Sequence, residues 1–146
     1  MNTELLQIIT GSLGTLGFSI LFNIRGKRLA MVTLGGCLSW SLFLLLEYLT
    51  PNEPVRYFIV SVFVALYAEI VARLLKTPTT TILMAALVPL IPGASLYYTM
   101  AYALDSDLNR FISKAVYTLQ LAGALALGIV VTTMIITIIN KLKRQR

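Results

Sequence analysis

Residues 79–104 read TTTILMAALVPLIPGASLYYTMAYAL, an apolar run with Pro89, Pro92 and Gly93 near its centre. Crossing a bilayer takes about 20 apolar residues, so this run is long enough to span. Its centre opposes a continuous helix. Pro92 has no backbone N–H, and its ring collides with the preceding turn. Pro89 does the same one turn earlier, and Gly93 adds backbone freedom. A break here frees N–H and C=O groups at membrane depth. Hydrocarbon cannot hydrogen-bond them, so they must face protein, water or a ligand. Broken helices at the midplane are how many transporters build substrate sites.

The rest of the chain points to the same solvent. Of its 146 residues, 58% are hydrophobic and only 12% charged, with a mean hydropathy of +0.84. A soluble domain carries about twice that share of charge. The chain is therefore an all-α integral membrane protein. It has no histidine, so zinc hydrolysis and Ser-His-Asp or Cys-His catalysis lack their base. No enzyme activity, metal site or cofactor is expected. Cys37 is the only cysteine and reads as a small packing residue. Glu4 stands where a signal peptide would carry Lys or Arg, so residues 5–22 read as a retained helix. The pI near 9.7 reflects basic cytoplasmic loops rather than a nucleic-acid partner.

Five apolar segments follow one another: Leu5–Phe22, Leu29–Tyr48, Val55–Leu75, the broken Thr79–Leu104, and Phe111–Ile139. The connections are short, and Pro51 and Pro54 punctuate the second. Pro78 is placed to start the fourth helix. Asp105, Ser106 and Asp107 are potential caps for the fifth. No linker divides the chain, so residues 1–146 read as one transmembrane domain.

Charge predicts the orientation. With five spans and the N-terminus outside, nine of the twelve basic residues fall inside, among them Arg25, Lys27, Arg28, Arg73, Lys76 and the Lys141–Arg146 cluster. Only Arg56, Arg110 and Lys114 lie outside. A re-entrant hairpin at the break would leave seven inside and five outside, so a spanning fourth segment is preferred. Each half of that segment then covers roughly 15 Å, and the two together cross about 30 Å of hydrocarbon. The C-terminus is expected in the cytoplasm, in a multi-pass protein of the inner or plasma membrane. The basic tail serves as an orientation signal and headgroup anchor.

Tyr48, Tyr57, Tyr102 and Tyr117 fall near the predicted outer interface, where amphipathic rings settle. Gly11, Gly14 and Gly17, Gly35 and Gly36, and the Ala124/Gly128 pair suggest close helix packing. Asn23, Gln120, Thr132, Thr133 and Thr137 read as residues that satisfy backbone or neighbouring helices.

Two places could carry chemistry. Glu69 is the one acid well inside a membrane segment, roughly 9–10 Å from the inner end of its helix. Arg73 follows at i+4, the favourable order for an ion pair. A structural pair is one reading; proton coupling or gating is the other, since burial disfavours the charged form of a carboxylate. The second place is the break. If it unwinds, a half-helix starts near Ala94 and Ser95, and its N–H groups and positive dipole end suit a carboxylate. The predicted substrate contacts are Pro89, Pro92, Gly93, Ser95, Tyr97 and Tyr98. Tyr97 and Tyr98 sit on adjacent faces, so at most one should point at a ligand. A simple proline kink is the competing reading.

A set of these motifs resembles a known family. They are Ala68-Glu69, Arg73, Lys76-Thr77-Pro78, Val88-Pro89-Leu90-Ile91-Pro92-Gly93 and Leu96-Tyr97-Tyr98-Thr99-Met100, with Leu21-Phe22-Asn23 and Leu34-Gly35-Gly36 to Trp40 upstream. Together they resemble the C-terminal membrane domain of the threonine/serine exporter family, over nearly the whole chain. The resemblance implies export of small hydroxy amino acids or related carboxylates. It also implies that full-length members join two membrane halves of about five helices each. This chain is similar to the second half only, so a separate subunit resembling the first half is the expected partner, with room for a higher oligomer. The alternative is a non-transporting assembly or regulatory subunit.

Overall fold

The computed structural model describes residues 3–144, the side chains of 143 and 144 excepted, and all its elements are helical. Helix α1 is Thr3–Leu21, α2 Lys27–Leu49 and α3 Glu53–Leu75. The fourth segment is two helices, α4 (Thr79–Ala86) and α5 (Gly93–Leu104), joined by a 3-10 turn over Val88–Leu90. Helix α6 is Leu108–Arg144. Four helices are each long and apolar enough to span, and the α4–α5 pair, bent by 46°, is together long and apolar enough to be a fifth.

Side-chain contacts fix the helix directions: α1 and α2 run antiparallel, as do α2 and α3, whereas α3 and α6 run parallel. At one end, the Tyr48 hydroxyl bonds Glu4, Arg56 pairs with Glu47 at 3.5 Å, and the Tyr117 hydroxyl bonds Glu53. At the other, basic end, Arg73 reaches Asn140 at 3.1 Å. The start of α6 therefore lies opposite the basic end. A re-entrant α4–α5 hairpin would have returned it to the basic side, so the pair crosses the molecule.

Helices α2, α3 and α4 form the centre, α1 packs on α2, and α6 packs on α3. The core has two parts. Toward the basic end, Val32, Ala68 and Ile82 are wholly buried. Around the break, Phe43, Tyr57, Val60, Leu87, Leu90 and Leu121 close together. Tyr57 thus departs from its expected place in an interfacial belt: its ring packs edge-on to Phe43, 5.1 Å between centroids. Apolar side chains on the outer faces, such as Leu13 and Leu119, are exposed, as hydrocarbon contact allows.

Close approach needs glycine at three points. A Cβ on Gly35 would lie 2.6 Å from Tyr67 Cε1. A Cβ on Gly36 would lie 2.6 Å from Thr15 Cγ2, and one on Gly128 would lie 2.7 Å from the Phe58 carbonyl oxygen and overlap the Ser61 hydroxyl. A Cβ on Gly11 would make only ordinary contact with Trp40 and Pro89, at 3.7 Å, and one on Gly14 or Gly17 would meet nothing within 4 Å.

Three helices end the same way. Asn23, Lys76 and Ser106 adopt positive φ (58°, 48° and 57°), and the next residue's N–H bonds back five residues: Ile24 to Ser19, Thr77 to Ala72, Asp107 to Tyr102. These are Schellman turns, which satisfy the last carbonyls. Asp107 then caps α6, its carboxylate accepting from the Arg110 N–H at 3.1 Å.

Candidate functional site

The break follows from its prolines. Neither Pro89 nor Pro92 can donate, and Leu90 N–H turns to Leu87 O at 2.8 Å instead of Ala86 O. The chain tightens into the 3-10 turn, extends at Ile91, and folds Gly93 N–H back to Ile91 O at 2.6 Å. Pro92, at φ −73° and ψ 57°, centres that inverse γ-turn. Helix α5 starts at Gly93, one residue before the position expected from sequence.

Two sets of backbone groups are released. Ala86 O is met by Ser39, whose buried hydroxyl lies 3.3 Å away and also 2.8 Å from Gly36 O. At the other side, the N–H groups of Ala94 and Ser95 have no backbone acceptor among the described residues. Gly93 and Ala94 are exposed and Ser95 is buried. A helix N-terminus of this kind attracts anions. Trp40, next to Ser39, packs against the core cluster that holds Leu87 and Leu90, and its buried indole N–H has no acceptor among the described residues.

Leu90 is fully buried and fixes the turn in the core, while Ile91 points outward. Pro89 and Pro92 are half-buried. Tyr97 and Tyr98 are both exposed and stand edge to face, 5.5 Å apart. Tyr98 turns toward α6, where Lys114 Nζ lies 6.0 Å from its ring centroid. The break and the two tyrosines thus share one segment, and of the six predicted contacts Ser95 alone is buried.

Removing the Ser39 hydroxyl leaves Ala86 O buried and unpaired, which costs about 1–3 kcal/mol. Ser39→Ala should therefore lower the melting temperature in detergent. Ser41→Ala, which removes a hydroxyl bonded only within its own helix, should change it little. Equal melting of the two variants would show that the break does not depend on Ser39.

Glu69 and Arg73 form the expected ion pair. Arg73 Nε and Nη2 donate to Glu69 Oε1 at 3.0 and 2.8 Å. The pair is part of a larger knot. Thr79 Oγ1, on the first residue of α4, donates to Glu69 Oε2 at 2.9 Å, and Arg73 also donates to Asn140. One carboxylate thus ties α3 to the entry of the broken segment, and its arginine ties α3 to α6. A cleft of about 190 Å³ opens beside it, with Glu69, Arg73 and Asn140 on its wall. Among the described residues, no group of three or more His, Cys, Asp or Glu could hold a metal.

Sequence reading missed Ser39, Trp40, Thr79 and Asn140. Their partners lie 47, 10 and 67 positions away in the hydrogen-bonded cases, so no local spacing marks them. Most other hydroxyls bond their own helix, as Thr132 does to Gly128 O and Thr137 to Thr133 O.

The chain is a helical bundle with four membrane-length helices and a bent pair that can be a fifth, and with its family match it is a membrane transporter component. Residues 7–135 match the family described as Threonine/Serine exporter, ThrE, and the chain belongs to that family. It is a family of transporters rather than enzymes. No curated protein and no solved structure matches the chain.

Proposed function

We propose that the chain is one subunit of a two-component secondary exporter for threonine, serine or a similar small carboxylate. The observation that carries this reading is the exposed start of α5, with unpaired N–H groups at Ala94 and Ser95. At membrane depth such groups need a polar partner, and a substrate carboxylate supplies it. Trp40 Nε1–H, buried and without an acceptor, is a further donor on the neighbouring helix. Gly93 and Ala94 open away from the chain's own core, which supports a second membrane subunit, resembling the family's first half, that completes the site. The basic end faces the cytoplasm under the positive-inside rule. Family membership supports this reading, and the substrate class comes from it.

Glu69 is the gating or coupling group. Removing its charge would weaken the Thr79 bond that holds α4 to α3 and leave Arg73 without the carboxylate that positions it toward Asn140 on α6. Glu69→Gln keeps the shape and removes the charge. Arg73 is 55% exposed at its side chain, so the pair contributes at most about 1 kcal/mol to stability. The variant should therefore insert and melt almost normally. Threonine efflux from cells carrying both subunits should fall about tenfold or more, a barrier increase of about 1.4 kcal/mol. Wild-type efflux in the Glu69→Gln variant would remove Glu69 from the mechanism.

A further inference from the structure

A second polar feature lies between α5 and α6, away from the break and away from Glu69. A cleft of about 570 Å³ is lined by Tyr102, Asn109, Arg110, Ser113, Lys114 and Tyr117. We propose that this cleft is a carboxylate-recognition site on the face opposite the basic end, with Lys114 as its cation, where the exported solute rests before release. The proposal builds on the exporter reading.

Three observations carry it. The first is the state of the charges. Arg110 is engaged by Asp107 at 3.3 Å, whereas Lys114 has no carboxylate within 4 Å among the described residues. Its ammonium instead lies 4.9 Å from the Tyr117 ring centroid and 6.0 Å from that of Tyr98. The rings hold the cation in place and leave its N–H donors available.

The second is where the acids point. Asp105, Asp107 and Glu53 are the nearby carboxylates, and none of them lines the cleft. Asp107 accepts from Arg110 through side chain and backbone, and Glu53 accepts from the Tyr117 hydroxyl. The wall that remains is cationic and rich in hydroxyl and amide groups, which suits a small hydroxy carboxylate.

The third is continuity with the break. Ser95, Thr99 and Tyr102 recur at i, i+4 and i+7, so they share one face of α5. Thr99 Oγ1 lies 3.1 Å from Thr118 Oγ1 on α6, and Thr118 is one turn after Lys114. A polar stripe therefore runs from the start of α5 along the α5–α6 seam to the cleft. Leu96, Tyr97 and Met100 face outward, away from this stripe.

Reductive methylation with labelled formaldehyde preserves lysine charge and gives each lysine an NMR signal. The full chain in phosphatidylcholine nanodiscs is titrated with L-threonine and, separately, with L-threoninamide, which keeps the ammonium and lacks the carboxylate. The Lys114 signal, assigned by its absence in Lys114→Arg, is expected to shift with L-threonine alone. The signals of Lys27, Lys76 and Lys141 should stay in place. An unmoved Lys114 signal, or an equal shift with threoninamide, would overturn the site. So would a shift produced only by adding phosphatidylglycerol, which would make the anion a lipid phosphate. Efflux from cells with both subunits separates the two readings. Failed efflux with a Lys114 shift removes the exporter and leaves the site. Intact efflux without that shift does the reverse.

Discussion

Gly128→Ala is expected to destabilise the protein by about 3 kcal/mol, at the upper end for one added methyl in a packed interior. In most helices the same change is favourable by roughly 1 kcal/mol, because glycine is a poor helix former. The sign reverses here because the added Cβ would meet the Ser61 hydroxyl and the Phe58 carbonyl oxygen, the latter at 2.7 Å. A carbonyl belongs to the backbone of α3 and cannot rotate away, so α6 must move off. The hydroxyl can be removed: Gly128→Ala with Ser61→Ala should recover part of the loss and leave the backbone overlap. Gly14→Ala is the control, since nothing lies within 4 Å of that position. It should melt at or above the wild type, followed by circular dichroism in detergent. A Gly128→Ala variant as stable as Gly14→Ala would contradict the close α3–α6 seam.

That contrast shows what sequence could carry and what it could not. Gly14 and Gly128 look alike in an apolar helix, and both suggested packing. Only the register between helices decides which one meets a neighbour. The spans themselves were legible because hydrocarbon demands long apolar runs. The broken fourth segment was legible because proline has a local mechanism, and its one-residue shift from Ala94 to Gly93 comes from the γ-turn at Pro92. The last helix runs to Arg144 rather than Ile139, since leaving the apolar zone does not end a helix of Asn, Lys and Arg. At 37 residues it spans roughly 55 Å and extends beyond a bilayer core.

The site divides along the same line. Glu69 and Arg73 form a local pair at i+4, and the structure adds Thr79 and Asn140 through tertiary contacts. The break is local, and Ser39 and Trp40 come to it from α2. Lys114 was read as an outer basic residue. Its aromatic setting depends on how α5 leans against α6, and that lean is set by the 46° bend. The bend is therefore the one feature on which both the half-site and the outer cleft depend.

Replacing both prolines should remove that bend. Pro89→Ala with Pro92→Ala restores two N–H donors, and each proline inside a helix costs about 3 kcal/mol relative to alanine. The 3-10 turn then has no cause, and Leu90 N–H can return to Ala86 O. Residues 79–104 can run as one helix of roughly 39 Å. Straightening would carry α5 away from α6, separate Thr99 from Thr118, and pair the Ala94 and Ser95 N–H groups with carbonyls of the preceding turn. The variant should be at least as helical as the wild type, and threonine efflux should fall to background. Spin labels at Met84 and Met100, introduced as cysteines in a Cys37→Ser background, would report the change as a longer distance between α4 and α5. Helicity distinguishes this result from misfolding, because a misfolded variant would lose it. Pro92→Ala alone tests which proline matters more: Pro89 still breaks the ladder, so the single variant should keep part of both the bend and the efflux. Full efflux from a double variant shown to be straight would mean that the substrate does not use the start of α5. The outer cleft would then have to be reached by another route.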